Sequence, residues 1–373
     1  MPFSLLSSGY GGTLYSLSFN PSDSPTLSVS STQTCGSAPT WLTLSAPRPG
    51  KRPVVYTGDE FADPGTLTSF VVGQDAKLSS LGSTGAGAGP VHFVEDSQGK
   101  RLFSANYGSG SLSVVSLNDD GSFVGGDAQT VQFTGTGPNK ERQEQSHIHG
   151  VYLDPTGDYL LATDLGADQL KVYYIANGDF SERPAISLAT GSGPRHLVTV
   201  PPSGSSTKTL LYLVEELSSC ISISEIIYPS SPSGPLSLAA IQTEITILPP
   251  DASSYPGDWT AAEIHLSPCG RYLFASNRSP PESHPESDVI TIFELNAQGG
   301  VVTSSPPTYF SVGGLGPRDF SFSPPREGVQ GGKYLAVSLQ RTNEVAIFEV
   351  EGKELKEVAR VGDLKEPTAV VWL

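Results

Sequence analysis

Four residues of this 373-residue chain carry side chains that together could act on an anionic small molecule. Arg195 and Arg278 offer guanidinium groups, which hold a carboxylate or a phosphate through paired hydrogen bonds. His149 and Glu216 can transfer protons near neutral pH if their surroundings tune their pKa values. Alternatively, Arg195 and Glu216 simply pair with each other, and His149 is a satisfied structural residue. Because the four residues are far apart in the chain, either interpretation depends on the elements that position them.

A repeated unit supplies those elements. Each copy contains an apolar strand, a turn rich in proline or glycine, and a second apolar strand, as in residues 146–164 and 261–278. Aligned on one position of the first strand, the copies place these residues at the anchor position: Trp41, Val91, His149, Arg195, Ala262, Arg318 and Ala369. The intervals average about 55 residues, close to the length of a four-stranded antiparallel blade.

Seven anchors predict an all-β fold, a seven-bladed β-propeller of four-stranded antiparallel blades. The last copy ends with its first strand, at residues 367–373, whereas residues 13–19 and the stretch from residue 27 supply strands without an anchor. We therefore expect the C-terminal strand to pair with N-terminal strands, which closes the ring and removes an open sheet edge. We expect residues 1–373 to form a single domain.

Residues that differ between the copies are the candidates for a site. The innermost strand of each blade lines the central channel of a propeller, so the anchor side chains of neighbouring copies meet there. A purely structural anchor would be uniformly small or apolar, yet this position includes one imidazole and two guanidinium groups. At an aligned position at the end of the second strand, the copies also have no side-chain type in common. This column contains Glu60, Tyr107, Leu165, Glu216, Arg278 and Gln340. We predict that His149, Arg195, Glu216 and Arg278 meet at one mouth of the channel as the catalytic set.

Further candidates for substrate contact lie beside these positions: Arg318, His92, His147 and Glu60. Arg318 could extend the cationic patch or pair with Asp319, and His92 and His147 could equally be structural hydrogen-bond partners. The column before the variable one carries mostly Asp and Asn, which predicts a turn that bonds the backbone in most blades.

Three polar insertions adjoin the candidate residues. The first covers residues 137–145, the second covers residues 228–235 and 249–259, and the third covers residues 279–287. Such segments are either solvated surface loops or the rim or lid of a pocket. The sequence leaves both interpretations open.

Composition and missing motifs exclude several classes of function. A net charge of −16 repels nucleic acid and anionic membranes, so neither is an expected partner, and no protein partner is indicated. No serine-hydrolase elbow, phosphate-binding loop, dinucleotide glycine fingerprint or His-Glu-x-x-His motif occurs, and no spacing demands a metal. Three cysteines without metal-type spacing and an N-terminus without signal-peptide features favour a cytoplasmic location.

Several stretches resemble, in order and spacing, a family of seven-bladed propellers. They are Gly-Pro-Val-His-Phe from residue 89, Ser-His-Ile-His-Gly from 146, Gly-Pro-Arg-His-Leu from 193, Ala-Ser-Asn-Arg from 275 and Gly-Pro-Arg-Asp-Phe from 316. They are similar to the lactonase family, which includes bacterial propeller-type 6-phosphogluconolactonases and fungal 3-carboxy-cis,cis-muconate lactonising enzymes. The active-site set proposed for the muconate enzymes matches His149, Arg195, Glu216 and Arg278 here.

The resemblance implies a metal-independent lactonase without a cofactor. Its substrate would be a sugar-acid lactone such as 6-phospho-D-glucono-1,5-lactone, with Arg195 and Arg278 holding the anionic end and the oxyanion. Either His149 or Glu216 would take the proton from water. One alternative is a cycloisomerase that closes a carboxylated cis,cis-muconate into a lactone. A second alternative is a non-catalytic propeller that binds a protein partner.

Overall fold

The computed structural model describes residues 2–126, 128–202, 208–231, 233–255, 257–283, 286–301 and 304–373. Within these residues, the strands form seven four-stranded antiparallel sheets. The sheets are arranged as a ring, which confirms the predicted all-β seven-bladed propeller.

The strands follow one another blade by blade. Blade 7 begins with β1 (Phe3–Gly9), β2 (Thr13–Asn20) and β3 (Thr26–Thr34). Blade 1 contains β4 (Thr43–Leu44), β5 (Val54–Asp59), β6 (Gly65–Val72) and β7 (Leu78–Ala86). Blade 2 contains β8 (Pro90–Glu95), β9 (Arg101–Asn106), β10 (Ser111–Ser116) and β11 (Gln129–Gln132). Blade 3 contains β12 (Ile148–Leu153), β13 (Tyr159–Asp164), β14 (Gln169–Tyr174) and β15 (Ser181–Ser187).

The second half of the ring continues in the same way. Blade 4 contains β16 (Pro194–Val200), β17 (Leu210–Glu215), β18 (Cys220–Ile227) and β19 (Ser237–Thr246). Blade 5 contains β20 (Thr260–Leu266), β21 (Tyr272–Arg278), β22 (Val289–Glu294) and β23 (Thr308–Ser311). Blade 6 contains β24 (Pro317–Phe322), β25 (Tyr334–Leu339), β26 (Glu344–Glu351) and β27 (Glu354–Val361), and β28 (Pro367–Trp372) completes blade 7. Short 3₁₀ turns lie at Gln74–Ala76, Ala176–Gly178, Ala252–Ser254 and Gln340–Thr342.

The ring closes where the two ends of the chain meet. Strand β28 pairs with β1 in an antiparallel register that sets Leu5 opposite Trp372 and Ser7 opposite Val370. The strand order in this blade is β28, β1, β2, β3, so the C-terminal strand is the innermost one. This confirms the predicted closure, which leaves the innermost strand of the last blade bonded to its neighbour rather than open.

Each of the seven contacts between neighbouring blades contains an apolar cluster. Between blades 6 and 7, for example, Phe3, Phe19, Tyr334 and Trp372 meet edge to face. A middle strand such as β25 lies between two neighbouring blades and is buried on both faces, so its sequence is almost continuously apolar. An apolar core between every pair of neighbouring blades is expected if residues 1–373 form the predicted single domain.

The innermost strands carry a β-bulge at one end of the channel. In blade 2, Pro90 pairs with Asn106 and His92 pairs with Ala105, which leaves Val91 as the extra residue. The same break in register recurs in the other blades, and it gives one column of bulge residues: Thr40, Val91, His149, Arg195, Ala262, Arg318 and Thr368. A bulge redirects side chains and is common next to active sites.

Two predicted anchors, Trp41 and Ala369, are wrong by one residue. The bulge positions in their blades are Thr40 and Thr368. The bulge inserts a residue that spacing between repeats does not reveal. Trp41 and Ala369 belong instead to the next column, which we call the channel layer: Trp41, His92, Gly150, His196, Glu263, Asp319 and Ala369.

Candidate active site

A pocket of about 880 Å³ opens at the end of the channel that carries the bulges. Three bulge residues line it, and so does most of the variable column: Val91, His149 and Arg318, together with Glu60, Tyr107, Glu216, Arg278 and Gln340. Leu165 is the exception in that column, because its side chain is fully buried in the blade. The differences between repeat copies therefore identify eight residues of the pocket wall, fewer than half of its lining.

Glu216 gathers three arginines around one carboxylate. Its Oε1 lies 2.7 Å from Nη2 of Arg142 and 3.2 Å from Nη2 of Arg278, and its Oε2 lies 3.0 Å from Nε of Arg195. The Glu216 side chain is only 4% exposed. The predicted pairing of Arg195 with Glu216 is present, but it is part of a larger cluster at the pocket wall.

This cluster fixes the charge of Glu216. Burial alone would raise the pKa of the Glu216 carboxyl, but Arg278, Arg142 and Arg195 outweigh burial and hold that pKa well below its usual range. The carboxylate is therefore ionised across the physiological pH range. It holds the three guanidinium groups in place and is a poor proton acceptor.

His149 lies beside the cluster. Its Nε2 is 3.9 Å from Oε2 of Glu216, and its ring meets the rings of Tyr107 and His196 edge to face. Burial, followed by the positive charge of Arg195, lowers the pKa of His149 well below 6.5. The imidazole is consequently neutral at pH 7, as a general base has to be.

Arg318 reaches the pocket from blade 6. Its guanidinium carbon lies 5.5 Å from the centre of the Tyr10 ring, and its Nη1 is 3.5 Å from Oε1 of Gln340. Tyr10 in turn donates a hydrogen bond of 3.2 Å to Oε1 of Glu60. Asp319, the other partner considered from the sequence, instead accepts a hydrogen bond from the amide of Val370. Arg318 thus extends the cationic wall of the pocket.

Three residues predicted to contact substrate do not line the pocket. Arg195 is 2% exposed and lies behind Glu216, where its Nη1 donates to the carbonyl of Ala262. His92 lies in the channel layer, with its ring 4.6 Å from the ring of Trp41. The side chains of Arg195 and His92 do not reach the pocket, because they lie at the channel axis below its floor.

His147 also lies outside the pocket lining. Its ring stacks on Tyr107 at 4.2 Å, its Nδ1 is 2.9 Å from the Tyr107 carbonyl, and its Nε2 is 3.1 Å from Oε1 of Glu144. Since Tyr107 does line the pocket, His147 positions a pocket residue rather than contacting substrate.

The sequence did not identify Arg142 as a site residue. It lies in the insertion at 137–145, outside the aligned columns. Its neighbour Gln143 is fully buried and donates to the Leu165 carbonyl and to Oδ1 of Asp168. These bonds fix the insertion so that Arg142 reaches Glu216. The available signal was a polar insertion that carries charged residues, Arg142 among them, directly before His147.

The insertions form part of the pocket rim. The first contributes Asn139, Lys140, Glu141 and Arg142, the second contributes Asp258, and the third contributes Ser279 and Pro281. Residues 232, 256, 284 and 285 of these insertions lie outside the described residues. Of the two interpretations left open by the sequence, a rim around a pocket fits these positions.

The Asp and Asn column has the predicted backbone role in part, since Asn106 instead bonds the hydroxyls of Ser111 and Ser113. Asp164 accepts hydrogen bonds from the amides of His147 and Ala167, and Asp59 accepts them from Ser37 and Ala38. These bonds fix the turns that hold the pocket residues.

One group of side chains has the composition of a metal site. Among the described residues, Glu263, His265 and Asp319 place one ligand atom each within 4.8 Å of one another. Protein donors already use the carboxylates, because Glu263 bonds His196 at 2.7 Å and Asp319 bonds the Val370 amide. We interpret the group as packing in the channel. Within the described chain, no helix combines the length and apolar character needed to span a membrane.

A family model described as lactonase, 7-bladed beta-propeller, matches residues 3–372. The chain belongs to this lactonase family. A relative from Arthroderma benhamiae, named a probable 6-phosphogluconolactonase, is 30% identical over 93% of this chain and 83% of its own length. The 6-phosphogluconolactonase of Bacillus subtilis is 31% identical over 77% of this chain and 72% of its own length.

Solved structures agree with the lactonase assignment of the fold. A protein from Bacteroides fragilis, provisionally named a 6-phosphogluconolactonase, is 27% identical, with a TM-score of 0.80 over 100% of this chain and 98% of that chain. A protein from Lactobacillus plantarum is 25% identical, with a TM-score of 0.81 over 100% of both chains. The enzyme class predicted from the resemblance, a lactone hydrolase, is confirmed by these relatives.

Proposed function

We propose that this lactonase hydrolyses a phosphorylated sugar-acid lactone of the 6-phosphogluconolactone type. The observation that carries the proposal is the cluster in the pocket, where neutral His149 lies beside the carboxylate of Glu216 and three arginines. The names of the Arthroderma and Bacillus relatives supply the type of lactone.

His149 acts as the general base in this proposal. Its Nε2 takes a proton from water while the water oxygen bonds to the carbonyl carbon of the lactone. Glu216, 3.9 Å from Nε2, stabilises the imidazolium that forms. Of the two bases that the sequence left open, we choose His149, because the arginines keep Glu216 ionised and occupied.

Arg278 stabilises the negative charge that develops on the carbonyl oxygen. It lines the pocket, and its Nη2 is already oriented by Glu216 and by the Ala261 carbonyl. Preorganised donors of this kind stabilise a tetrahedral intermediate. When the bond between the carbonyl carbon and the ring oxygen breaks, the His149 imidazolium returns its proton to that oxygen. The product is the open-chain acid, and the base is regenerated.

Basic residues at the pocket account for an anionic substrate in an acidic protein. The whole chain carries a net charge of −16 and repels anions at long range. The lining of the pocket nevertheless includes five basic residues: Lys140, Arg142, Arg278, Arg318 and Arg341. We assign the phosphate or other anionic end of the lactone to Arg318 and Arg142, which leaves Arg195 to hold Glu216 from behind.

The proposed reaction needs water and these side chains, and it requires neither a metal nor a nucleotide. The relatives named above are 6-phosphogluconolactonases, and they give no support to the cycloisomerase alternative. The cytoplasmic location stays a prediction.

Direct measurement of lactone opening tests the proposal. The purified protein should open 6-phosphogluconolactone faster than buffer does, and glucono-1,5-lactone less efficiently. Arg278→Gln should lower kcat by about 10²–10³-fold, as expected for loss of one oxyanion donor. Arg271→Gln is the matched control, because this arginine is 66% exposed and paired with Glu294 on the surface. Rates equal to buffer with both lactones, or equal losses in both variants, would overturn the proposal.

A further inference from the structure

A second, much smaller cavity adjoins the pocket on the channel axis. Its volume is about 10 Å³, close to the smallest that accommodates one water molecule. Six of the seven bulge residues line it: Thr40, Val91, His149, Arg195, Arg318 and Thr368. Glu60, His149, Val91 and Arg318 line both the pocket and this cavity, so the cavity lies directly against the proposed catalytic residues.

Three polar atoms of the cavity wall are buried with neither a hydrogen bond nor an ion pair among the described residues. They are Nδ1 of His149, Oε2 of Glu60 and Oγ1 of Thr40. His149 is 6% exposed and Thr40 is 4% exposed, so solvent in the pocket does not satisfy them. Thr368 differs, because its hydroxyl donates to the carbonyl of Thr40. Buried polar atoms without a partner destabilise a fold, because they lose their hydration and gain no hydrogen bond in return.

The chemistry of His149 requires a partner on the cavity side. Neutral imidazole carries one proton, and a general base must leave the nitrogen that faces the substrate unprotonated. If Nε2 accepts the proton of the attacking water, Nδ1 carries the hydrogen and has to donate it to an acceptor. In catalytic histidines that acceptor is commonly a carboxylate, which fixes the tautomer and the ring orientation. Glu60 offers the unoccupied carboxylate oxygen on this side.

We propose that one water molecule occupies this cavity, accepts the hydrogen of His149 Nδ1 and donates to Oε2 of Glu60. Glu60 is then the positioning residue of His149 and acts through that water. Thr40 supplies the third hydrogen bond, which matches the usual number for a buried water. Tyr10 completes the arrangement, because it occupies the other oxygen of Glu60 at 3.2 Å.

The proposal gives Glu60 a role other than the substrate contact expected from the sequence. It also gives the threonine at the bulge of blade 1 a role, because Thr40 is the third partner of the water. The water rests on the cavity and its unpartnered polar atoms alone. The tautomer and its catalytic consequence rest on the proposed function.

The first test is independent of activity. In a crystal structure of the full chain we expect an ordered water within about 3.2 Å of both His149 Nδ1 and Glu60 Oε2. Two-bond ¹H–¹⁵N spectra should show His149 as the Nδ1–H tautomer. The chain has six histidines, so the signal can be assigned by its loss in His149→Gln. A cavity without this water, or the Nε2–H tautomer in the wild-type protein, would overturn the proposal.

The second test uses substitutions around the cavity. Glu60→Gln and Thr40→Val should each raise the share of the Nε2–H tautomer and lower kcat by about tenfold, with KM within about twofold. Thr57→Val is the matched control, because Thr57 is also a fully buried threonine whose hydroxyl has no partner among the described residues, but it lines neither cavity. It should change neither quantity.

The outcomes separate this proposal from the proposed function. A fall in kcat or a rise in KM without a change of tautomer would give Glu60 a direct substrate role and overturn the inference. If the protein opens no lactone, while the water is present and the tautomer shifts in both variants, the lactonase proposal fails and the water-mediated contact stands.

Discussion

The bulge residues and the channel layer are neighbours in sequence, yet they differ in what their polar groups contact. Both contain ionisable side chains. In the channel layer, His196 bonds Glu263 at 2.7 Å, Asp319 bonds the amide of Val370, and His92 accepts from the amide of Val151. At the bulges, His149 faces an open pocket and retains a buried nitrogen without a partner among the described residues. Residue type therefore does not mark the site, whereas unsatisfied groups at a pocket do.

The carboxylates of the two regions have pKa shifts of opposite direction. Arginines hold the pKa of Glu216 well below its usual range despite its burial. Burial instead raises the pKa of Glu263 and of Asp319, and for Asp319 the nearby Glu263 adds to the effect. The pocket wall is thus charged, whereas the channel layer favours neutral acids. Charge is concentrated where a substrate can use it.

The channel layer is also densely packed. Gly150 contributes no side chain, and the ring of Tyr152 from the same strand occupies that place. A Cβ atom at residue 150 would lie 2.6 Å from Cε2 of Tyr152 and 2.9 Å from the Arg195 carbonyl. The layer therefore forms a floor below the pocket, and substitutions there should affect folding more than catalysis.

His149→Gln should produce the largest effect and tests the bulge side of the comparison. Loss of the general base should lower kcat/KM for the lactone by about 10²–10⁴-fold. The free energy of unfolding should change by less than about 1 kcal/mol, since the buried imidazole has no close protein hydrogen bond that the substitution would remove. Steady-state kinetics and urea unfolding of the same preparation measure both quantities. Activity within threefold of wild type would contradict the assignment of the base.

His196→Leu tests the channel layer and should show the opposite pattern. It removes the donor to Glu263, a carboxyl group that is 4% exposed, so the unfolding free energy should fall by about 1–3 kcal/mol. The double variant His196→Leu/Glu263→Leu removes both partners and should recover part of that loss. Urea unfolding curves measure the stabilities. A loss of kcat greater than about tenfold in a folded His196→Leu protein would place His196 in the catalytic machinery and erase the distinction between the two regions.

The repeat in the sequence determined most of this architecture. Variation between copies pointed to His149, Arg278, Arg318 and Glu216. A repeat position that has no residue type in common between the blades is not needed to build the blade, so it is free to serve a site. The shift of one residue at Trp41 and at Ala369 arose from bulges, which add a residue without changing the apolar pattern.

Arg142 and the orientation of the buried groups could not be predicted in this way. Arg142 belongs to an insertion without a counterpart in other blades, so no column contains it. His92 and His147 have the same side chain as His149, and whether an imidazole faces the pocket, the channel or a tyrosine ring depends on strand register and local packing. Such contacts are set by tertiary structure rather than by spacing.

The smallest expected effect concerns the pH dependence of catalysis. It tests whether the channel layer influences the pKa of His149. Burial and Arg195 lower the pKa of His149 well below 6.5, and a general base is active only when it is unprotonated. After subtraction of spontaneous lactone opening, kcat/KM should therefore be flat between about pH 6.5 and 8 and should fall only at lower pH, as the imidazole gains a proton. In His196→Leu the acidic limb should move to higher pH by less than about half a pH unit, because His196 contributes less than burial and Arg195 to lowering the pKa of His149. An acidic limb centred above pH 7, or a large shift in that variant, would show that the channel layer controls the base.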